Sequence, residues 1–214
     1  MTLFEAQQLI RQGEGDLVEF KRKAKYPERI IKEVVAFANS SGGHLFIGVD
    51  DDGTIVGLKD VYEEHFVMEK AISELCRPKI RYDYEVIPIS LKQSILHYYI
   101  YSGDAKPYFG LLTSMHKRGK AFFRIQDRCI QASRELRQIL KFSSQGTPRA
   151  FSYGKNEKIL FNYLGNHENI TVEEYAVIAN ISRNEASQIL INLTVSNALK
   201  IVPEDHIDHF VFVE

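Results

Sequence analysis

The sequence predicts an α+β chain in two parts, and three observations carry that prediction. Strand-like alternations and helical stripes interleave through the first 141 residues, as in a mixed sheet covered by helices. A Ser/Gly/Pro-rich stretch then interrupts the pattern. After it, three helical segments and a terminal hairpin come in close succession, which is the winged-helix order. The expected organisation is a first domain over 1–145, a linker over 146–155 and a small winged-helix domain over 156–214.

The elements follow in order. Leu3, Ala6, Leu9 and Ile10 share one face of a helix over 3–12, which Gly13 stops. Residues 16–21 alternate as a strand, with Phe20 pointing inward and Glu19 and Lys21 together on the other face. Pro27 opens the next helix, where its missing N–H is not needed, and Ile30, Ile31, Val34, Val35, Phe37 and Ala38 give it a broad apolar stripe. Asn39-Ser40-Ser41-Gly42-Gly43 ends it. A hairpin is expected over 44–57 around Asp50-Asp51-Asp52-Gly53, then a helix over 61–75. Strands are expected over 81–89, 94–101 and 121–126, and a helix over 133–141. The second domain reads as helices over 156–165, 171–179 and 183–196, then strands over 199–202 and 207–213. Ser182 and Glu185 have capping-box spacing at the start of its third helix.

Composition excludes several classes. The 214 residues are 44% hydrophobic and 26% charged, close to ordinary globular values. No signal-peptide pattern opens the sequence, and no apolar run approaches the roughly 18 residues of a membrane span. Cys76 and Cys129 are far apart, and His206 and His209 lack a third ligand, so no resident metal is expected. A reducing, cytoplasmic setting without a membrane partner is the expectation. Residues 1–150 carry 23 Lys+Arg against 19 Asp+Glu, whereas 151–214 carry 4 against 9. A phosphate-binding surface is therefore expected in the first domain.

Several groups of residues could carry function. Lys21, Arg22, Lys23, Lys25 and Arg29 form the densest basic cluster, suited to phosphate contacts, with a solvated charged face as the other reading. Asn39, Gly42 and Gly43 could present backbone N–H groups to a phosphate, or simply form a turn. Arg118, Lys120 and Arg124 could extend the basic surface. Arg183, Asn184 and Gln188 stand on the third helix of the second domain, where Asn and Gln could read adenine edges. Ile191 and Val195 share that face, which fits a dimer contact equally well.

Four motifs carry a resemblance: Glu14; Glu19-Phe20-Lys21; Ala36-Phe37-Ala38-Asn39-Ser40-Ser41-Gly42-Gly43; and Ile47-Gly48-Val49-Asp50-Asp51-Asp52-Gly53-Thr54-Ile55-Val56-Gly57-Leu58. With a fainter block from Phe122-Phe123-Arg124 to Ala132-Ser133-Arg134-Glu135-Leu136, they make residues 10–141 resemble the Schlafen AlbA-like family. The resemblance implies a Schlafen AlbA-like mixed sheet with helices and a nucleic-acid-binding module of the kind found in bacterial transcriptional regulators. Schlafen relatives with ribonuclease activity imply a further possibility: Glu14, Glu19 and Asp51 holding Mg²⁺ or Mn²⁺, with Lys21 stabilising developing charge. Gly13 and Gly15 would have to bend the chain for Glu14 and Glu19 to converge. No G-x-x-x-x-G-K-[ST] is present, so the phosphate cradle of a P-loop is missing.

The leading expectation is a non-enzymatic, DNA-binding transcriptional regulator acting as a homodimer and needing no cofactor, with RNA as the other polymer such contacts would hold. A metal-dependent nuclease and a protein-interaction adaptor are the alternatives.

Overall fold

A computed structural model of the chain describes residues 1–111, 119–146, 153–205 and 207–213. It divides into two compact units, Met1–Gln131 and Ala132–Glu214.

The first unit runs α1 (Leu3–Ile10), β1 (Val18–Lys21), α2 (Pro27–Asn39), β2 (Gly43–Ile47), α3 (Val61–Leu75), β3 (Cys76–Arg77), β4 (Tyr82–Pro88), β5 (Ser94–Ile100), β6 (Phe109–Gly110), β7 (Phe122–Ile125) and β8 (Arg128–Gln131). Its main sheet has the order β1-β2-β5-β4, with β1 and β2 parallel and the other pairs antiparallel. Because β-strand side chains alternate, the sheet presents two apolar faces. Leu45, Ile47, Leu96, Tyr98 and Ile100 join a core with α2 and α3. Phe20, Phe46, Ile87 and Ile95 join another with Ala6 and Ile10 of α1. The parallel β1–β2 pair needs a crossover, and α2 supplies it.

The chain is thus α+β with an open mixed sheet, as expected, but local details differ. The expected hairpin over 44–57 is present in a shorter form: Val49 and Ile55 pair antiparallel, and the Asp50 N–H donates to Thr54 O at 2.9 Å across the Asp50–Gly53 turn. Gly48, at φ +101, turns the chain at the end of β2, and its carbonyl accepts both Val56 N–H (3.0 Å) and Gly57 N–H (2.9 Å). The returning segment thus runs antiparallel to residues 48–50 only, while β2 itself pairs with β1 and β5. A two-stranded hairpin appears later, between β7 and β8, around Gln126 at φ +54.

The second unit holds α4 (Arg134–Ser144), α5 (Lys155–Leu164), α6 (Val172–Ala179), α7 (Arg183–Val195), β9 (Leu199–Val202) and β10 (His209–Phe212). β9 and β10 form an antiparallel hairpin, and Ile170 pairs with Phe210 beside it. Here α4 changes the expected boundary near 145. Ile139 of α4 is part of the core that contains Leu160, Tyr175, Leu190 and Phe210, and the Ser187 hydroxyl donates to Glu135 at 2.7 Å. The amphipathic α4 thus belongs with the helices of the second unit, and the division falls before it. Residues 147–152 of the expected linker lie outside the described residues. With this division the first unit has 19 Lys+Arg against 18 Asp+Glu and the second 8 against 10. The charge contrast read from the sequence is therefore much weaker between the actual units.

Among the described residues, no helix is long and apolar enough to cross a membrane.

Candidate nucleic-acid interface

The charged residues of the first unit separate into a buried group and an exposed one. The buried group starts on β1, where alternation sends Phe20 into the core and leaves Glu19 and Lys21 together. Glu19 is nonetheless only 5% exposed. One of its carboxylate oxygens pairs with the Lys21 ammonium and the other with the Arg124 guanidinium at 2.6 Å. Gly13, at φ +81, and the Gly15–Val18 pairing bend the chain back, so Glu14 Oε1 accepts the Phe20 N–H at 2.8 Å. Glu14 and Glu19 therefore do converge. Burial first, and then the Glu19 and Asp51 charges, raise the Glu14 carboxyl above its ordinary range, against the Phe20 hydrogen bond and Lys21.

Arg124 is the centre of this group and is 3% exposed. Its guanidinium donates to Gly15 O at 2.8 Å, Val18 O at 3.0 Å and Glu33 at 2.7 Å, and lies 5.0 Å from the Phe37 ring centroid. This corrects its expected place on a basic surface: the side chain ties β7 to β1 and α2. Glu33, which carried no role in the sequence motifs, is the other carboxylate here. Burial and the Glu19 charge outweigh Arg124 and Lys21 and push Glu33 up to about 7. A signal was present, because Glu33 interrupts the apolar stripe of α2 three residues after Ile30 and four before Phe37.

The 39–43 turn is likewise internal. Asn39 is fully buried, donating to Tyr108 O (2.9 Å) and Phe122 O (2.8 Å) and accepting Tyr108 N–H (2.7 Å). Gly42 has φ +83, and a Cβ there would lie 2.7 Å from Ile100 O. At Gly43 a Cβ would sit 2.4 Å from the Phe37 ring. These residues are therefore packed against protein and not open to a phosphate, which corrects the possibility of a backbone cradle.

The exposed group is different. Arg22, Lys23, Lys25 and Arg29 are all exposed where the chain leaves β1 and enters α2. The half-exposed Tyr26 ring is in reach of two of them, 5.3 Å from Lys25 Nζ and 5.0 Å from the Arg29 guanidinium carbon. Tyr26 is also the N-cap of α2 and provides no side-chain cap, so the first-turn amides add partial positive charge. Arg22 reaches Asp50 at 3.4 Å, a distance that ties it only loosely. Lys120 is exposed and its backbone pairs with Gly110. Arg118 lies outside the described residues.

In the second unit, Arg183, Asn184 and Gln188 are exposed on α7, but each already has a partner. Arg183 pairs with Glu173 at 2.7 Å and lies 3.6 Å from Glu135; Asn184 accepts from Arg134 at 3.1 Å; Gln188 donates to Asn192 at 3.2 Å. Ile191 does not share their face. It is 1% exposed and part of the core, so the apolar surface expected beside Gln188 is not there.

The carboxylates do not fit a divalent cation. Both Glu19 oxygens are held by cations, and Asp51 stands exposed in its turn. Among the described residues no group of three His, Cys, Asp or Glu side chains is arranged to hold a metal.

The sequence profile described as Schlafen, AlbA_2 matches residues 14–133. Among solved structures, one similar chain is the N-terminal domain of a putative ATP-dependent DNA helicase RecG-related protein from Nitrosomonas europaea. It is 22% identical with a TM-score of 0.42, and the match covers 58% of this chain and 88% of that one. Another is the DIP2311 protein from Corynebacterium diphtheriae, 16% identical with a TM-score of 0.43 over 86% of this chain and 33% of that one. A search of curated proteins returns no match.

Proposed function

Because this chain belongs to the Schlafen, AlbA_2 family, we propose that its first unit binds the phosphate backbone of nucleic acid through the exposed strip of Arg22, Lys23, Lys25 and Arg29. The observation that carries this reading is the Lys25–Tyr26–Arg29 arrangement: two cations gather at an exposed aromatic ring at the start of a helix without a side-chain cap. Cations and helix N-terminal amides attract phosphate, and an exposed ring can stack on an unpaired base. The buried cluster supports the same assignment indirectly. Lys21 and Arg124 pair with the internal carboxylates of Glu19 and Glu33, which reduces the opposition these offer to the outward-facing cations.

The preferred polymer is DNA, and the chain acts as a transcriptional regulator in homodimeric form. Its second unit is a winged helix, with α5, α6 and α7 followed by the β9–β10 hairpin as the wing. In this reading α7 adds little phosphate attraction, because Arg183 is paired with Glu173. The chain works without a metal or other cofactor.

The test is binding to duplex DNA and to RNA across a salt series. Affinity should fall steeply with salt. Lys23→Ala/Lys25→Ala/Arg29→Ala should reduce the slope of log K against log salt by about 0.9 for each duplex phosphate that is no longer neutralised. Absence of salt-sensitive binding to either polymer overturns the proposal and leaves the protein-interaction adaptor.

A further inference from the structure

We propose that two copies of the chain associate through β4, strand against antiparallel strand, joining their two main sheets across a two-fold axis. This rests on the homodimer reading above and names its interface. β4 is the end strand of the sheet and, at seven residues, one of its two longest. Long edge strands are ordinarily protected by lysine, proline or a bulge. In β4 the one proline, Pro88, stands at the last position, and Lys79 precedes the strand, so the backbone groups of 80–87 are free of both. An open groove of about 790 Å³ runs along the continuous segment from Lys79 to Glu85.

The backbone is aligned for such pairing. The Tyr101 N–H donates to Arg81 O at 3.1 Å, which turns the odd-numbered backbone groups of β4 toward β5. The N–H and C=O groups of Tyr82 and Tyr84 consequently point away from the sheet. In the register that sets Tyr82 opposite Tyr82, Arg81 of each copy faces the partner's Asp83, and Lys79 faces the partner's Glu85. Sliding by one pairing step to a two-fold at Asp83 would set two aspartates face to face. Charge complementarity therefore selects the first register. Tyr101 prepares both groups, because its hydroxyl donates to Asp83 at 2.6 Å and the Arg81 guanidinium lies over its ring at 4.1 Å.

The opposite face of β4 adds an apolar flank. Tyr84 is 48% exposed and stacks on His65 of α3, where Tyr62 and Phe66, four residues apart, are 73% and 64% exposed. A smaller cavity of about 310 Å³ links Phe66 to Ile80 and Tyr82. Three exposed aromatic side chains thus border the free edge on the side where two α3 helices would meet.

The experiment is sedimentation of the full chain without nucleic acid, with circular dichroism to check folding. The wild type should be a dimer. Arg81→Asp and Asp83→Arg should each weaken association roughly ten- to thirty-fold, because each turns two attractive cross-strand pairs repulsive. Mixing the two variants restores unlike charges at both positions and should restore the dimer. Tyr84→Pro removes an outward N–H without touching the β5 ladder and should also give monomers, which provides a decision if either charge variant unfolds. Dimers that survive these changes, or variants that fail to recombine, overturn the β4 interface while leaving the dimer reading. A wild-type monomer at the highest soluble concentration overturns both, and the salt-series binding is read separately from either.

Discussion

Replacing Glu33 by glutamine should make the first unit more stable at neutral pH and remove part of its pH dependence. Glu33 is pushed up to about 7 in the folded chain, chiefly by burial and then by the Glu19 charge. In an unfolded chain a glutamate titrates near its ordinary value of about 4.3. Below that value the group is protonated in both states and carries no penalty. As pH rises toward about 7, the unfolded chain releases the proton first, and folding must retain it or bury the charge. Stability is therefore lost across this window, by roughly 3 to 4 kcal/mol from 1.36 kcal/mol per unit of pKa difference. The Arg124 hydrogen bond does not require a charged partner, since a glutamine oxygen can accept it. Urea unfolding of wild type and Glu33→Gln at pH 5 and pH 8 checks this, and the difference between variants cancels the contribution of the unchanged second unit. The variant should gain relative to wild type as pH rises. A gain that is equal at both pH values, or a loss at pH 8, refutes the argument that burial and Glu19 outweigh Arg124.

Other consequences arise from neighbouring interactions. Asn39→Leu removes three internal hydrogen bonds and leaves Tyr108 and Phe122 backbone groups unpaired, so it should cost about 2 to 4 kcal/mol by urea unfolding. Gly43→Ala places a methyl group into the Phe37 ring and should destabilise by about 1 to 3 kcal/mol; an unchanged midpoint would show that the 39–43 turn is not packed as described. Incubating nucleic acid with the chain and Mn²⁺ should give no cleavage. Cleavage that Glu19→Gln abolishes would mean that the Glu19–Lys21–Arg124 pairing is opened by metal.

The helices of this chain are legible in its sequence because their signals are local. The apolar stripe of α2, the Pro27 start and the 61–75 periodicity place α2 and α3 without reference to anything distant. The long strands β4 and β5 are legible for the same reason. Features that depend on partners far away in sequence are not. Asn39 and Gly43 have the composition of a ligand-binding turn, and only the arrival of Tyr108, Phe122 and the Phe37 ring makes them internal. The Asp50–Gly53 turn and its hairpin are real but short: pairing stops at 48–56, because β2 is taken up on both sides by β1 and β5. A boundary at 145 follows loop composition, whereas the apolar face of α4 fixes its allegiance to the second unit. Placing Ile191 outside assumes a narrow apolar stripe on α7, and the broader buried face of that helix includes it.

Counting charges misleads in the same way, and a pair of substitutions separates the two roles that arginine has here. Arg29→Ala and Arg124→Met each remove one positive charge from a unit that carries only 19 Lys+Arg against 18 Asp+Glu. If net charge governed binding, both would weaken nucleic-acid affinity equally. Arg29 is exposed beside Tyr26, so its removal should leave stability within about 0.5 kcal/mol and lower the salt slope by about one phosphate's worth. Arg124 is enclosed by Glu19, Glu33 and two carbonyls, so its removal strands buried carboxylates and should cost about 3 to 5 kcal/mol. The chains that remain folded should keep the wild-type salt slope. Urea unfolding and the salt series, run on both variants, decide the matter: a flattened slope in folded Arg124→Met would put that guanidinium on the binding surface and undo the division into buried and exposed charge on which the proposed interface stands.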